Sequence, residues 1–164
     1  MADEQGAAPN GGDTEPQVGI LAQYVKDLSF ENPNAPMVYQ WEGQPQIDVQ
    51  FNIGTTPIAD EIHEVSLKIE ARATQEGQGT AFVIELVYAG VFGLRNVPED
   101  QLQPFLLAEA PRLLFPFARR IVAEQVRDGN FPPLMLEPID FTGIYLQQRA
   151  QAGAEAQGEI AGNA

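Results

Sequence analysis

Strict alternation of apolar and polar side chains in the first half of the chain constrains the fold most. Residues 46–53 (QIDVQFNI) and 62–73 (IHEVSLKIEARA) both place an apolar side chain at every second position. Successive side chains of a strand point to opposite faces, so this period of two predicts half-buried strands. We also predict strands over residues 18–31 and 80–92, the latter after the glycine-containing turn TQEGQG. Strands joined by a short turn predict an antiparallel sheet.

The second half of the chain predicts helices, over residues 98–109, 112–127 and 141–150. Asp140 is a favourable cap for the last of these, and Gly129 is a plausible end for the long one. Pro116 is expected to kink the long helix or to mark its true start. Strands followed by helices predict an α+β fold: a four-stranded antiparallel β-sheet with α-helices packed on one face.

The two ends of the chain differ in composition from the middle. Residues 1–17 are rich in Gly, Ala, Pro, Asp and Glu, and residues 150–164 (AQAGAEAQGEIAGNA) have a similar bias. We predict that both tails are disordered, with the second beginning as a fraying helix end. Residues 18–149 then form the single domain that a chain of 164 residues fits.

The net charge of −14 and the sequence pI of about 4.2 limit the possible partners. Phosphates would be repelled, so nucleic acid and an anionic membrane surface are not expected to bind. No apolar run approaches the roughly 20 residues that span a bilayer, so direct membrane insertion is not expected. The first 17 residues carry no basic residue and no apolar core of a secretory signal. We therefore expect a cytoplasmic protein.

The residues that usually carry catalysis are few. The chain has no cysteine and a single histidine, His63, which predicts neither a metal site nor a cysteine nucleophile. It contains no G-x-S-x-G motif, phosphate-binding glycine loop or dinucleotide fingerprint. The sequence therefore predicts a protein that is not an enzyme and needs no cofactor.

Two features suggest an interaction surface instead. The strand at 80–92 is apolar on both faces and is interrupted only by Glu85. Either helices cover one face and a loop or another subunit covers the other, or a partner binds there, and both can hold in an oligomer. The loop at 32–45 holds three prolines beside Met37, Tyr39 and Trp41. Those three side chains either pack on the core or form the adaptable wall of a peptide groove.

Four segments, taken in order, resemble the SecB family of protein-export chaperones. They are YVKDLSFENPNAP at 24–36, LFPFAR at 114–119, GNFP at 129–132 and LEPIDF at 136–141. Glu85, Gly90 and Phe92 also occupy positions typical of the last strand of the family. The resemblance covers about residues 20–149.

The resemblance implies a chaperone that holds unfolded precursor proteins in a translocation-competent state and delivers them to the SecA ATPase for export. It also implies a homotetramer, a dimer of dimers with the long helices between the dimers. Apolar positions on the long helix, at Leu113, Leu114, Phe117 and Ile121, suit such an assembly. The alternative that we keep open is a SecB-like chaperone or structural oligomer with a different client, such as an antitoxin.

Family positions for SecA binding correspond here to Asp27, Glu31, Val83 and Glu85. The even spacing within each pair predicts one shared face for Asp27 and Glu31 and one for Val83 and Glu85. By the same alternation, Tyr24 is expected to share a face with Leu28 and Phe30, with Lys26 breaking the pattern. Fixed carboxylates on a sheet face would attract a basic partner.

The client groove of the family runs between the proline-rich loop, the second strand and the last helix. The corresponding residues of this chain are Met37, Tyr39, Trp41, Val49, Phe51, Phe141 and Tyr145. Burial of apolar side chains is non-directional, so such a groove is expected to have low sequence preference.

Overall fold

The structure, a computed structural model, describes residues 14–161. Its strands are β1 (Gln17–Glu31), β2 (Gln46–Ala59), β3 (Ile62–Gln75) and β4 (Gly79–Arg95). Its helices are α1 (Glu99–Pro104), α2 (Ala110–Asp128) and α3 (Phe141–Ala161), with a π-helical turn over Phe105–Glu109 and a 3-10 turn over Met37–Gln40. The predicted order of strands followed by helices is therefore confirmed.

The four strands form one antiparallel sheet in the order β1-β4-β3-β2. We call the side of Ile84 and Leu86 the inner face and the side of Glu85 the outer face. Helix α2 lies on the inner face, where a Cβ built on Gly90 would come within 2.9 Å of Leu114 Cδ2. The ring of Phe105, at the start of the π-helical turn, meets Phe92 on the same face. The α+β prediction, with helices on one face, is confirmed.

The connection between β1 and β2 crosses one end of the sheet. Glu31 pairs with Val83 and Gln46 pairs with Thr74, so both ends of the connection lie near the β3–β4 turn. Because β4 and β3 lie between β1 and β2, the chain must cover three strand spacings, about 14 Å. This topology explains why residues 32–45 form a long loop that lies across the edge of the core.

The helix ends follow the predicted signals with one change. The Gly143 N–H donates to Asp140 Oδ1 at 2.9 Å, which confirms Asp140 as the cap of α3. Helix α2 ends at Asp128 with Gly129 as its C-cap, but the residue in the left-handed region is Asn130, with φ of 65°. The N–H groups of Asn130 and Phe131 donate to the carbonyls of Arg127 and Val126, a Schellman arrangement.

Two expectations about helices differ from the structure. Helix α2 begins at Ala110 and continues through Pro116, its seventh residue, so Pro116 does not mark the start of the helix. Helix α3 continues to Ala161, whereas the sequence predicted a disordered tail from residue 150. Alanine, glutamine and glutamate dominate this stretch, and all three are good helix formers. Most of the predicted N-terminal tail, residues 1–13, lies outside the described residues.

The predicted faces of β1 are wrong at its centre. The register shifts between Val25 and Asp27, so Lys26 is an extra residue of a β-bulge. Tyr24 pairs with Ala89 on the outer face, and Val25 pairs with Tyr88 on the inner face. Strict alternation counts the bulged residue as an ordinary one and therefore assigns Tyr24 to the face of Leu28.

The core lies between the inner face and α2. Leu67, Ile69, Leu86, Leu114 and Val122 are among its fully buried side chains. None of the helices within residues 14–161 combines the length and apolar character needed to cross a bilayer.

Candidate functional site

The four residues expected to contact SecA lie on one patch of the outer face. Glu31 pairs with Val83 and Ser29 pairs with Glu85, so the two strands place these side chains on the same side. Asp27 is two residues before Ser29 and therefore shares that side. We call Asp27, Glu31, Val83 and Glu85 the acidic patch. Asp27 and Glu31 are exposed, Glu85 is half-buried and Val83 is buried.

The carboxylates of the acidic patch are available to an external partner. Within the described residues, Asp27, Glu31 and Glu85 form no ion pair shorter than 4.0 Å. Lys26 adjoins Asp27 in sequence, but its ammonium Nζ lies 2.6 Å from Glu64 Oε1. On β3, Glu70 is paired with Glu85 and adds like charge beside the patch, whereas Arg72 is paired with Val83 and adds a positive charge on the same face. Its three carboxylates are a source of negative charge at the surface, flanked by that guanidinium.

Glu64 anchors a small polar cluster next to the acidic patch. The Tyr24 hydroxyl and the Lys26 ammonium both donate to its carboxylate. The hydrogen bond from Lys26 contributes most, and that from Tyr24 next, to holding the pKa of Glu64 below its ordinary value. The hydrogen bond to Glu64 raises the pKa of Tyr24. Tyr24 and Lys26 belong to β1 and Glu64 belongs to β3, with β4 between them. The small side chain of Ala89 on β4 leaves room for the cluster to connect β1 with β3 across the outer face.

A cavity of about 490 Å³ lies beneath the proline-rich loop. It is lined by Val38, Tyr39, Trp41, Gly43, Gln44, Pro45, Ile47, Gln75, Ala81, Phe82 and residues 130–134. We call this the loop cavity. None of its lining residues is charged, although charged residues make up 20% of the chain. Aromatic and aliphatic side chains with a few amides make up its walls, which is the composition of a site for apolar ligands.

Four aromatic side chains, in contact through their rings, connect the loop to the sheet. The centroid of Phe82 lies 4.9 Å from that of Phe131 and 6.0 Å from that of Phe30. The ring of Tyr39 lies 5.7 Å from Phe131. Phe82 is almost fully buried, so close packing holds its ring in place beneath the more exposed walls of the loop cavity.

Hydrogen bonds fix the loop at several points. The Tyr39 hydroxyl donates to the Gly129 carbonyl at 2.8 Å and accepts from Asn32 Nδ2 at 2.7 Å. Asn34 Nδ2 donates to the Thr80 carbonyl at 2.7 Å, and the Gln75 side chain donates to the carbonyl of Glu42. The loop is therefore attached both to the end of α2 and to the β3–β4 turn. The loop cavity is formed in advance of any ligand.

The residues predicted for the client groove fall into separate places. Tyr39 and Trp41 line the loop cavity. Phe51 and Phe141 both contact the ring of Phe115, with centroid distances of 6.5 and 6.0 Å, and Phe141 is 3% exposed. The three remaining residues are Val49, half-buried on β2; Met37, 60% exposed on the loop; and Tyr145, in a second cavity of about 310 Å³ beside Phe105 and Leu146.

Sequence reasoning missed the second wall of the loop cavity. Phe131, Pro132, Pro133 and Leu134 lie about ninety positions beyond the loop, and only the end of α2 brings them opposite it. The paired prolines were the available signal, because they keep this segment extended and out of a helix. Within residues 14–161, no group of three or more histidines or carboxylates is placed to hold a metal ion.

Comparisons with known proteins agree on one family. The family "Preprotein translocase subunit SecB" matches residues 11–152. Protein-export protein SecB of Sphingopyxis alaskensis is 61% identical over 166 residues, covering 97% of this chain and 96% of that protein. Protein-export protein SecB of Rhizorhabdus wittichii is 62% identical over 167 residues, covering 100% of both.

A solved structure has the same fold. The Mycobacterium tuberculosis Rv1957 SecB-like chaperone, in complex with a ChAD peptide from the Rv1956 HigA1 antitoxin, matches with a TM-score of 0.62. It is 16% identical and the match covers 74% of this chain and 90% of that one. The family match and the full-length relatives together show that this chain belongs to the SecB family of protein-export chaperones.

Proposed function

We propose that this protein-export chaperone captures apolar segments of unfolded preproteins in the loop cavity and passes them to the SecA ATPase. The observation that carries the proposal is the composition of the cavity: about 490 Å³, lined by aromatic, aliphatic and amide side chains and by no charged one. A folded protein buries its apolar side chains, whereas an unfolded one exposes them. The loop cavity therefore selects for the unfolded state.

Capture and release require no chemical step in this account. Burial of apolar side chains supplies affinity with little dependence on client sequence, since it lacks directionality. The loop is already attached by Tyr39, Asn34 and Gln75, so little conformational entropy is lost when a client binds. We propose that the protein is not an enzyme and that transfer to SecA, rather than nucleotide hydrolysis by this chain, releases the client in the cytoplasm.

The acidic patch is the proposed contact with SecA. Its carboxylates lie on the face opposite α2, so a partner can reach them while a client occupies the loop cavity. Charge complementarity of this kind mainly increases the association rate and is weakened by salt over a Debye length of about 8–10 Å. Asp27→Lys and Glu85→Lys should therefore weaken SecA binding and leave client capture intact. Calorimetry with either variant showing an unchanged SecA affinity would remove this assignment.

The proposed assembly is a homotetramer, a dimer of dimers. From Val18 to Leu28 the inner face of β1 is not covered by the described residues, and it exposes Val18, Ile20, Val25 and Leu28 at 46, 41, 45 and 36%. Phe117 of α2 is 45% exposed and stacks on Tyr88, the neighbour of Val25. A largely apolar exposed surface of this kind marks a protein interface. Association of copies through β1 and α2 would bury it.

Suppression of aggregation tests the proposed capture. A chemically denatured protein is diluted into buffer without ATP, with and without the chaperone, and light scattering is followed. We expect suppression near one assembly per client, and a clear loss of suppression for Trp41→Ala. Ile58→Ala is the control, because Ile58 is exposed at the end of β2 remote from the loop and does not line the cavity. Equal suppression by the two variants would place capture elsewhere.

A dedicated client such as an antitoxin is the second candidate. The solved SecB-like chaperone with an antitoxin peptide motivates it, although that likeness concerns the fold alone. Relatives about 60% identical over the full length are named for protein export, which favours the first candidate. Similar suppression across several unrelated denatured proteins would support export, and suppression of one alone would support a dedicated client.

A further inference from the structure

The β-bulge of β1 places a cation beside the acidic patch. In a regular strand, Lys26 and Asp27 would direct their side chains to opposite faces of the sheet. The register shifts between Val25 and Asp27, however, and Asp27 pairs with Val87 on the outer face. Lys26 also lies over the outer face, because its ammonium Nζ reaches Glu64 Oε1 on β3. Two consecutive residues of opposite charge therefore share the face on which we place the SecA contact.

An ammonium released at position 26 would weaken the acidic patch. The Cα atoms of Lys26 and Asp27 are about 3.8 Å apart, and both side chains are exposed. A lysine carries a point charge on a flexible four-carbon stem, so its ammonium can turn to a carboxylate beside it on the same face. Such a pair would occupy the Asp27 carboxylate and cancel its charge. A basic partner would then have to displace the lysine before it could bind there.

Glu64 holds the Lys26 ammonium away from Asp27. The distance from Nζ to Oε1 is 2.6 Å, and within residues 14–161 Lys26 forms no other ion pair shorter than 4.0 Å. The side chain of Glu64 is 13% exposed, whereas Asp27 is exposed. Partly buried charges are screened less by salt than exposed ones, so Glu64 is the stronger of the two partners for the ammonium.

Tyr24 fixes the carboxylate that holds the lysine. Its hydroxyl donates to Oε2 of Glu64, so each carboxylate oxygen has its own donor. The hydrogen bond from Lys26, and next that from Tyr24, lower the pKa of Glu64, so the carboxylate stays charged throughout the neutral range. The ammonium therefore has an oriented and permanently charged partner on β3.

We propose that Glu64 is a positioning residue for the SecA contact, which keeps the acidic patch open to a basic partner by holding Lys26 away from Asp27. This inference rests on the proposed function and assigns a role to a residue outside the acidic patch. Glu64 acts through Lys26 and needs no contact with SecA. Loss of the two residues should therefore have opposite effects, because one change releases the cation and the other removes it.

A double-mutant cycle on the full-length protein tests the coupling of Glu64 to Lys26. Calorimetry at one ionic strength gives the Kd for SecA of the wild type, Glu64→Gln, Lys26→Met and the double variant. We expect Glu64→Gln to raise the Kd about three- to tenfold, since the released lysine competes for Asp27. Lys26→Met should bind at least as tightly as the wild type. The double variant should stay within about twofold of Lys26→Met.

Lys68→Met is the matched control background. Lys68 is exposed on the outer face and pairs with Val87 from the side opposite Asp27, so it lies in the same row across the sheet. It forms no ion pair shorter than 4.0 Å within the described residues. Glu64→Gln should therefore raise the Kd as much in the Lys68→Met background as in the wild type.

The cycle separates positioning from a direct effect of charge. An equal rise of the Kd in the wild-type and Lys26→Met backgrounds would mean that the charge of Glu64 acts on SecA directly, and would overturn the inference. A Glu64→Gln variant that binds SecA as the wild type does would overturn it as well. Client holding should be unchanged in all variants, because the loop cavity is intact; a parallel loss of holding would show a fold defect and count against positioning. If Asp27→Lys leaves SecA binding unchanged, the proposed SecA contact itself is wrong.

Discussion

Phe117→Ala should weaken assembly by an amount that follows from its exposure. Complete burial of a phenylalanine side chain is worth about 1.5–3 kcal/mol, and 45% of Phe117 remains exposed in the single chain. Covering that remainder in an interface contributes about 0.7–1.4 kcal/mol per copy. A twofold contact uses the same residue from both copies, which doubles the effect. The dissociation constant of the contact should rise by about 10–100-fold.

Sedimentation velocity over a dilution series measures this effect. The wild-type assembly, with four times the chain mass of 17.9 kDa, should persist to lower concentration than the variant. Met135→Ala is the control, because Met135 is 59% exposed and belongs to neither β1 nor α2, the two elements of the proposed contact. Denaturant melts of both variants report the lost stacking of Phe117 on Tyr88 separately. Equal dissociation constants for the two variants would refute the proposed interface.

Two further substitutions test the packing and the charge cluster. Gly129→Ala would place a Cβ 2.5 Å from Phe30 Cζ and should cost about 1–3 kcal/mol of unfolding free energy. Gly153→Ala is the control and should not destabilise the protein, because the space around Gly153 is open. Unchanged stability of Gly129→Ala would show that Phe30 can move. Glu64→Gln should cost less than about 1 kcal/mol at neutral pH. Because its partners lower the pKa of Glu64, this stabilisation is present above the ordinary carboxyl pKa and is lost as pH falls through the lowered pKa. The unfolding free energies of wild type and variant should therefore converge in acid. A difference that stays constant with pH would contradict the cluster.

The sheet was predictable because alternation is a local property. The period of two over residues 46–53 and 62–73 directly predicts β2 and β3. The bulge at Lys26 was not predictable, since a break in the pattern does not say whether the chain inserts a residue or turns a lysine to solvent. The pairs Asp27–Glu31 and Val83–Glu85 share a face as predicted because both lie within the regular stretch of pairing that follows the bulge.

The loop cavity was less predictable because its walls are distant in sequence. Tyr39 and Trp41 were identifiable from the prolines around them, but Phe131 reaches them only through the strand order and the length of α2. Phe51 and Phe141 contact the ring of Phe115 instead, which joins β2 and α3 to the core. Residue type alone does not separate an aromatic side chain that lines a cavity from one that fills the core.

Trp41 provides the most direct test of client capture in the loop cavity. It is the only tryptophan of the chain and it lines the cavity, so intrinsic fluorescence reports on that place alone. The measurement is the emission maximum of Trp41 during titration with an unfolded client that lacks tryptophan, while light scattering confirms that the client is held. We predict a shift that saturates at the stoichiometry of holding, because the client displaces water from the half-buried indole. Unchanged emission from a chaperone that holds its client would contradict capture in the loop cavity.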